Sequence, residues 1–251
     1  MTDTADKRPV SVTEFLGGQL RLSQPVKGYR AGIDPVLLAA SVRLEEHSTA
    51  MEFGCGPGAA LLASALLNPT ARLIGYESDA EIADLAHHNV VANGLSDRID
   101  IQTGDALQAS KKQIADAVFF NPPFFDDPSQ LRAPAPSRHK AWINDQGLEA
   151  WIDAGLRRLR EGGQLVMIQR ADRLDDILSA LQGRASATVL PVHPRADQPA
   201  KRVLVKAIKV SKAPLRILPG LVLHPEAGHS YMPEVDAILR GSARTTLAFD
   251  P

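Results

Sequence analysis

Between residues 50 and 183, short apolar runs alternate with helix-forming runs, and this alternation constrains the fold more than any other feature of the chain. The runs "AMEF", "ARLIGYE", "RIDIQTGD", "IADAVFF" and "QLVMIQ" read as strands. The segments between them read as helices where their patterns allow it. One is "AALLASALL", and a second opens at "SDAE", with Ser78 as cap and Glu81 completing a capping box. That second helix would bury Ile82, Leu85, Ala86 and Val90 and stop at Asn93-Gly94. A third, "LEAWIDAGLRRLREGG", carries a stripe of Leu148, Trp151, Ile152, Gly155, Leu156 and Leu159. "RLDDILSALQG" is a fourth. Ahead of the first strand, "DPVLLAASV" starts a helix with Asp34 as cap and Pro35 at the first helical position. Strand–helix–strand crossovers are right-handed, so the pattern predicts a doubly wound, Rossmann-like α/β sheet with helices on both faces. "SATVLPV" and "RVLVKAIKV" follow with no helix between them, which predicts an antiparallel pair at one edge.

In such sheets ligands bind beyond the carboxyl ends of the strands, near the switch point. The relevant ends here are "EFGCGPG", "GYESD", "TGDA" and "FFNPPFF". Gly54, Gly56 and Gly58 allow a tight turn and close approach of a ligand to the backbone. Glu77 ends the second strand about where an acid grips a ribose in nucleotide-binding sheets. A pyrophosphate-binding loop usually reads G-x-G-x-x-G. This one reads G-x-G-x-G with Pro57 inside it, offers fewer amides, and suits S-adenosylmethionine, which has no phosphates. Asp105 is placed to accept from the adenine amine of that cofactor, the alternative being a simple turn aspartate. Cys55 has no evident partner base and reads as a small packing residue.

The stretch "VFFNPPFFDD" holds four of the seven phenylalanines in the chain. Pro122 biases Asn121 to extended backbone, and Pro122 and Pro123 fix the next two φ angles. The turn is therefore stiff. It presents the Asn121 side-chain carbonyl and the Pro122 backbone carbonyl as two acceptors for the two N–H bonds of a planar exocyclic amine. Phe119 and Phe120 read as strand core, while Phe124, followed by Phe125, offers a face on which a base can stack.

Composition adds exclusions. The formal net charge is −1, so no global field drives binding to nucleic acid or membrane. With one cysteine no disulfide framework can form within the chain, which suits a reducing compartment. The start "MTDTADKRPV" is no signal peptide and no run reaches a membrane span, so a cytoplasmic protein is expected. The histidines lack ligand spacing, so no metal is expected. Local charge says more. Arg195, Lys201, Arg202, Lys206, Lys209, Lys212 and Arg216 face one acid, Asp197, within residues 195–216. Arg132, Arg138, His139 and Lys140 follow the Asn-Pro-Pro turn. Such residues contact phosphates without reading sequence, although lysines on a sheet edge also serve as solvated blockers of aggregation.

"GCGPG", "GYE", "GDA" and above all "NPPF" resemble the class I S-adenosylmethionine-dependent methyltransferases that act on nitrogen. "GYRAGIDPVLLAA" followed by "EFGCGPGAA" is similar to the tRNA adenine-N6 methyltransferases that modify valine tRNA beside its anticodon. The resemblance covers residues 11 to about 245 and implies a seven-stranded, mostly parallel sheet with the last strand antiparallel. It implies that Tyr29, Arg30 and Asp34 lie near the cofactor and that Gly54 and Gly56 line it. It further implies that Glu77 holds the ribose, that Asp105 and Ala106 meet the adenine, and that Asn121, Pro122 and Phe124 hold the target. Phe124 stands where many relatives have Tyr, which keeps stacking and loses a hydroxyl. The expected organisation is a disordered start over residues 1–10, a methyltransferase domain over 11–212 that includes a segment covering the cofactor, and a tail over 213–251 packed on it. The expected activity is N6 methylation of adenine in tRNA, with Arg132, Arg138, Lys140 and Arg202 contacting the RNA. Three alternatives share the motifs: methylation of a glutamine amide in a protein such as a release factor, methylation of another RNA or a small molecule, and a non-catalytic RNA-binding protein on the same fold.

Overall fold

The computed structural model describes residues 9–27, 30–108, 113–122 and 147–249. Its centre is a nine-stranded sheet. The long strands are β3 (Thr49–Phe53), β4 (Arg72–Glu77), β5 (Ile99–Thr103), β6 (Ala115–Phe120), β7 (Leu159–Arg170), β8 (Ala185–His193) and β9 (Arg202–Lys209). They lie in the order β8-β9-β7-β6-β3-β4-β5. β9 alone runs antiparallel to its neighbours, β7 and β8. The chain runs from β3 outward through β4 to β5 and then returns to pair β6 on the other side of β3. The switch point therefore lies between β3 and β6.

The seven expected strands are all present, with two additions. Two-residue strands β10 (Arg216–Ile217) and β11 (Leu221–Val222) extend the β8 edge. Among the long strands β8 and β9 form the expected antiparallel pair at one edge, with β9 between β8 and β7. A separate antiparallel hairpin, β1 (Val10–Phe15) and β2 (Leu20–Pro25), precedes the first helix. It has no counterpart in the strand pattern read from the sequence.

Helices α1 (Asp34–Ser41), α2 (Ala59–Leu67), α3 (Ala80–Ala92) and α6 (Pro233–Leu239) cover one face of the sheet, where Leu37, Leu61, Val90 and Ile238 share a core. Helices α4 (Leu148–Arg158) and α5 (Leu174–Leu181) cover the other through Ile152, Leu156 and Ile177. Apolar burial on both faces is what a parallel sheet requires, and it explains why its strands read as continuous apolar runs.

Four local expectations change. The α3 cap is Asp79, whose carboxylate accepts from the Glu81 and Ile82 amides, while Ser78 donates to Glu77 instead. α3 buries Ala83, Ala86, Asn89 and Val90, leaving Ile82 and Leu85 half-exposed, because the face turned to the sheet also carries the contacts to β2. α4 stops at Arg158, since Leu159 already pairs with Ala115 in the sheet and the following "REGG" loops out as a bulge before Gln164. At α1, Ile33 is the cap and Asp34 lies inside the first turn.

Candidate functional site

Phe53 of β3 and Phe120 of β6 are register partners. Gly54 and Asn121 therefore leave the sheet side by side at the switch point, about one strand spacing of ~4.8 Å apart. The loop from Gly54 to Gly58 needs glycine for its backbone: φ is +62° at Gly54, +55° at Gly56 and +93° at Gly58. A Cβ at Gly56 would meet nothing within 4 Å, so this part of the loop is an open cradle.

Glu77 closes the loop from the β4 side. Its Oε2 accepts from the Gly56 amide at 3.0 Å, and its Oε1 accepts from the Asp79 amide at 2.9 Å. The Gly104 amide donates to the Glu77 carbonyl at 2.8 Å, which brings the end of β5 alongside. There Asp105 is exposed and accepts from the Leu107 amide at 2.9 Å and from Gln108 Nε2 at 3.0 Å, while Ala106 is buried. Asn121 is half-buried and Pro122 buried.

Two residues of the site were not singled out by sequence reasoning. Glu52, one residue before Phe53, is buried, and its Oε2 has no hydrogen-bond partner among the described residues. Burial raises its pKa well above the usual carboxylate value, against the Leu61 amide and with a smaller push from Glu77. An acid two residues ahead of the first glycine was the available signal. Asn89 of α3 donates to the Pro57 carbonyl and to the Ser23 carbonyl, both at 2.8 Å, and accepts from the Ser23 amide at 2.9 Å. It joins the glycine loop to the hairpin. A buried polar residue on an otherwise apolar helix face was its signal. Cys55 is buried, and burial followed by the charges of Glu52 and Glu77 pushes its pKa up, so it stays a neutral packing thiol.

Other expected site residues have partners of their own. Arg30 Nη1 donates to Ser11 Oγ at 2.7 Å and Nη2 to Thr13 Oγ1 at 3.2 Å, so its guanidinium lies on the hairpin. Asp34 pairs with Arg202 at 3.0 Å, which links two residues that the sequence assigned to different ligands. The basic stretch is largely consumed internally. Lys206 is buried with Nζ 3.5 Å from the Leu247 carbonyl, Lys209 donates to the Leu159 carbonyl at 2.6 Å, and Arg195 donates to the Pro225 and Gly228 carbonyls. Neither a free RNA-binding stripe nor a solvated edge describes β9. Tyr29, Phe124, Arg132, Arg138 and Lys140 lie outside the described residues.

The open cradle at Gly56 suits the approach of S-adenosylmethionine. The acids Glu77 and Asp105 at these strand ends suit a cationic ligand and oppose a pyrophosphate. Such a fold, with such a switch point, defines a class I methyltransferase, an enzyme that uses S-adenosylmethionine. Residues 33–188 match the methyltransferase small domain, and the chain belongs to that family. It is 31% identical over 223 residues to the tRNA1(Val) (adenine(37)-N6)-methyltransferase of Porphyromonas gingivalis, a match that covers 82% of this chain and 85% of that one. It is 25% identical over 215 residues to the enzyme of the same description from Vibrio cholerae, covering 84% and 88%. Among solved structures, a predicted O-methyltransferase from Agrobacterium tumefaciens superposes with a TM-score of 0.70 at 27% identity, covering 84% of this chain and 98% of that one.

Proposed function

We propose that the protein transfers the methyl group of S-adenosylmethionine to N6 of an adenine in tRNA. The observation that carries this reading is the pairing of Phe53 with Phe120 at the switch point, after which Gly54 and Asn121 leave the sheet side by side, an amine-holding turn beside the cofactor loop. The names of the relatives from P. gingivalis and V. cholerae support the substrate class.

When bound, the cofactor supplies an electrophilic methyl on a sulfonium. The chain's own residues bind and orient. Gly54, Gly56 and Glu77 form the cradle, with Glu77 set to accept from ribose hydroxyls while it holds the Gly56 amide. Asp105 and Ala106 border the adenine of the cofactor. Asn121 and Pro122 accept the two N–H bonds of the target amine, which keeps its lone pair out of conjugation and aimed at the methyl. Alignment of this kind supplies much of the rate, up to ~7–11 kcal/mol in favourable cases. Phe124 stacks on the target base, and Arg132, Arg138 and Lys140 contact RNA phosphates, with Arg202 steering through its pair with Asp34. Tyr29 and Arg30 border the cofactor from the hairpin side. The compartment that fits this substrate is the cytoplasm.

Single-turnover transfer from labelled cofactor to unmodified tRNA tests the roles. Asn121→Ala leaves only the Pro122 carbonyl, and by analogy with the loss of one oriented oxyanion donor it should slow transfer ~10²–10³-fold. Affinity for S-adenosylhomocysteine should stay unchanged. A near-wild-type rate would reduce the turn to a structural corner and remove the amine-holding role.

A further inference from the structure

Trp151 lies on α4, on the far side of the sheet from the glycine loop's own helix, yet its indole reaches the loop. A Cβ added at Gly54 would lie 2.9 Å from Trp151 Cη2 and 3.4 Å from Cζ3. The indole therefore occupies the space that a side chain at residue 54 would need. The same ring meets Phe120 edge-on, with centroids 5.6 Å apart at 68°. Phe120 stacks on Phe53 at 6.2 Å, and Phe53 meets Tyr76 edge-on at 6.0 Å. Four aromatic rings thus run under the ends of β4, β3 and β6, in a chain whose aromatic content is 5%. Trp151 ends that row and, unlike the buried Phe53 and Phe120, is half-exposed. The residues that it touches directly precede the two functional turns: Gly54 opens the cofactor loop, and Phe120 precedes Asn121.

We propose that Trp151 is a positioning residue for methyl transfer, which acts by wedging between Gly54 and Phe120 and so setting the spacing of the cofactor loop and the acceptor turn. This rests on the reading of those two turns given above. A core aromatic would only have to fill volume, whereas this ring stands at the rim and excludes any side chain at Gly54. Paired aromatic rings favour offset or edge-on geometry, so the contact fixes orientation as well as distance.

The chain has two tryptophans, Trp142 and Trp151. In a Trp142→Phe protein, Trp151 is the sole indole, and saturation with S-adenosylhomocysteine should shift or quench its emission. Trp151→Ala should lower single-turnover rate about tenfold or more and weaken S-adenosylhomocysteine binding several-fold, leaving KM for tRNA within about twofold. Trp151→Phe should recover part of both losses. If Trp142→Phe fails to fold, the difference between wild-type and Trp151→Phe emission on titration reads the same signal. Binding with a silent indole, or a Trp151→Ala protein that is less stable but turns over at the wild-type rate, overturns the wedge and leaves the assignment of the turns standing. Absence of S-adenosylhomocysteine binding by the wild-type chain would overturn both together.

Discussion

Glu52 shows how much a single buried group can do at this site. Its carboxyl is buried with one oxygen unpartnered among the described residues, and burial holds its pKa well above the usual value. The folded state therefore binds this proton more tightly than the unfolded chain does. The resulting stability is fully present below the ordinary carboxylate range and is lost as pH rises through the raised value. Urea unfolding of the wild type should give a stability that falls as pH rises above the ordinary carboxylate range. Glu52→Gln, which keeps the shape and removes the ionisation, should flatten that slope. An unchanged slope would mean that another group controls it. Glu77 differs although it lies close by. It is half-exposed and accepts from the Gly56 and Asp79 amides, so it is tied to the glycine loop rather than buried.

At the level of elements, α3 works as a clamp. Asn89 and Asn93 stand one turn apart and bind the β2 backbone as a neighbouring strand would, Asn89 at Ser23 and Asn93 at Arg21. Only Asn89 also reaches the Pro57 carbonyl in the glycine loop. Asn89→Ala would leave buried backbone groups unpaired at ~1–3 kcal/mol in total cost and loosen the loop. The expected result is a lower unfolding midpoint together with weaker S-adenosylhomocysteine binding. Asn93→Ala, whose contacts to Arg21 are exposed, should cost less stability and spare the cofactor. Equal effects on binding would separate the hairpin from the cofactor loop. The alternation of strands and helices was legible because apolar period and glycine stops report local geometry directly. The hairpin was not, because in "VSVTEFLGGQLRLSQP" the buried positions lie on β2, whose pairing depends on two asparagines some seventy residues away in sequence. The fate of the basic residues on β9 was hidden for the same reason. Whether Lys206 is solvated or buried depends on a tail that adds strands to the β8 edge and sets the Leu247 carbonyl opposite it.

Over the whole molecule, the sheet brings distant segments to one point. Gly54 and Asn121 are neighbours because the chain reverses direction between β5 and β6, and Trp151 joins them from the opposite layer. The glycine loop was readable in the sequence because its composition is set by its backbone, with positive φ at Gly54, Gly56 and Gly58. Trp151 read as one member of a core stripe, since nothing local to α4 reveals that a glycine lies against it. Asp34 and Arg202 read as separate because their ion pair spans the chain. The central claim is that this geometry delivers a methyl group to N6 of adenine in tRNA. Its most direct test is to incubate the purified protein with labelled S-adenosylmethionine and unmodified tRNA, digest the RNA, and identify the labelled nucleoside by mass spectrometry. The account predicts label in N6-methyladenosine, appearing ~10²–10³-fold more slowly with Asn121→Ala. Label in another nucleoside, in a hydroxyl-methylated product, or in protein but not in RNA would contradict it.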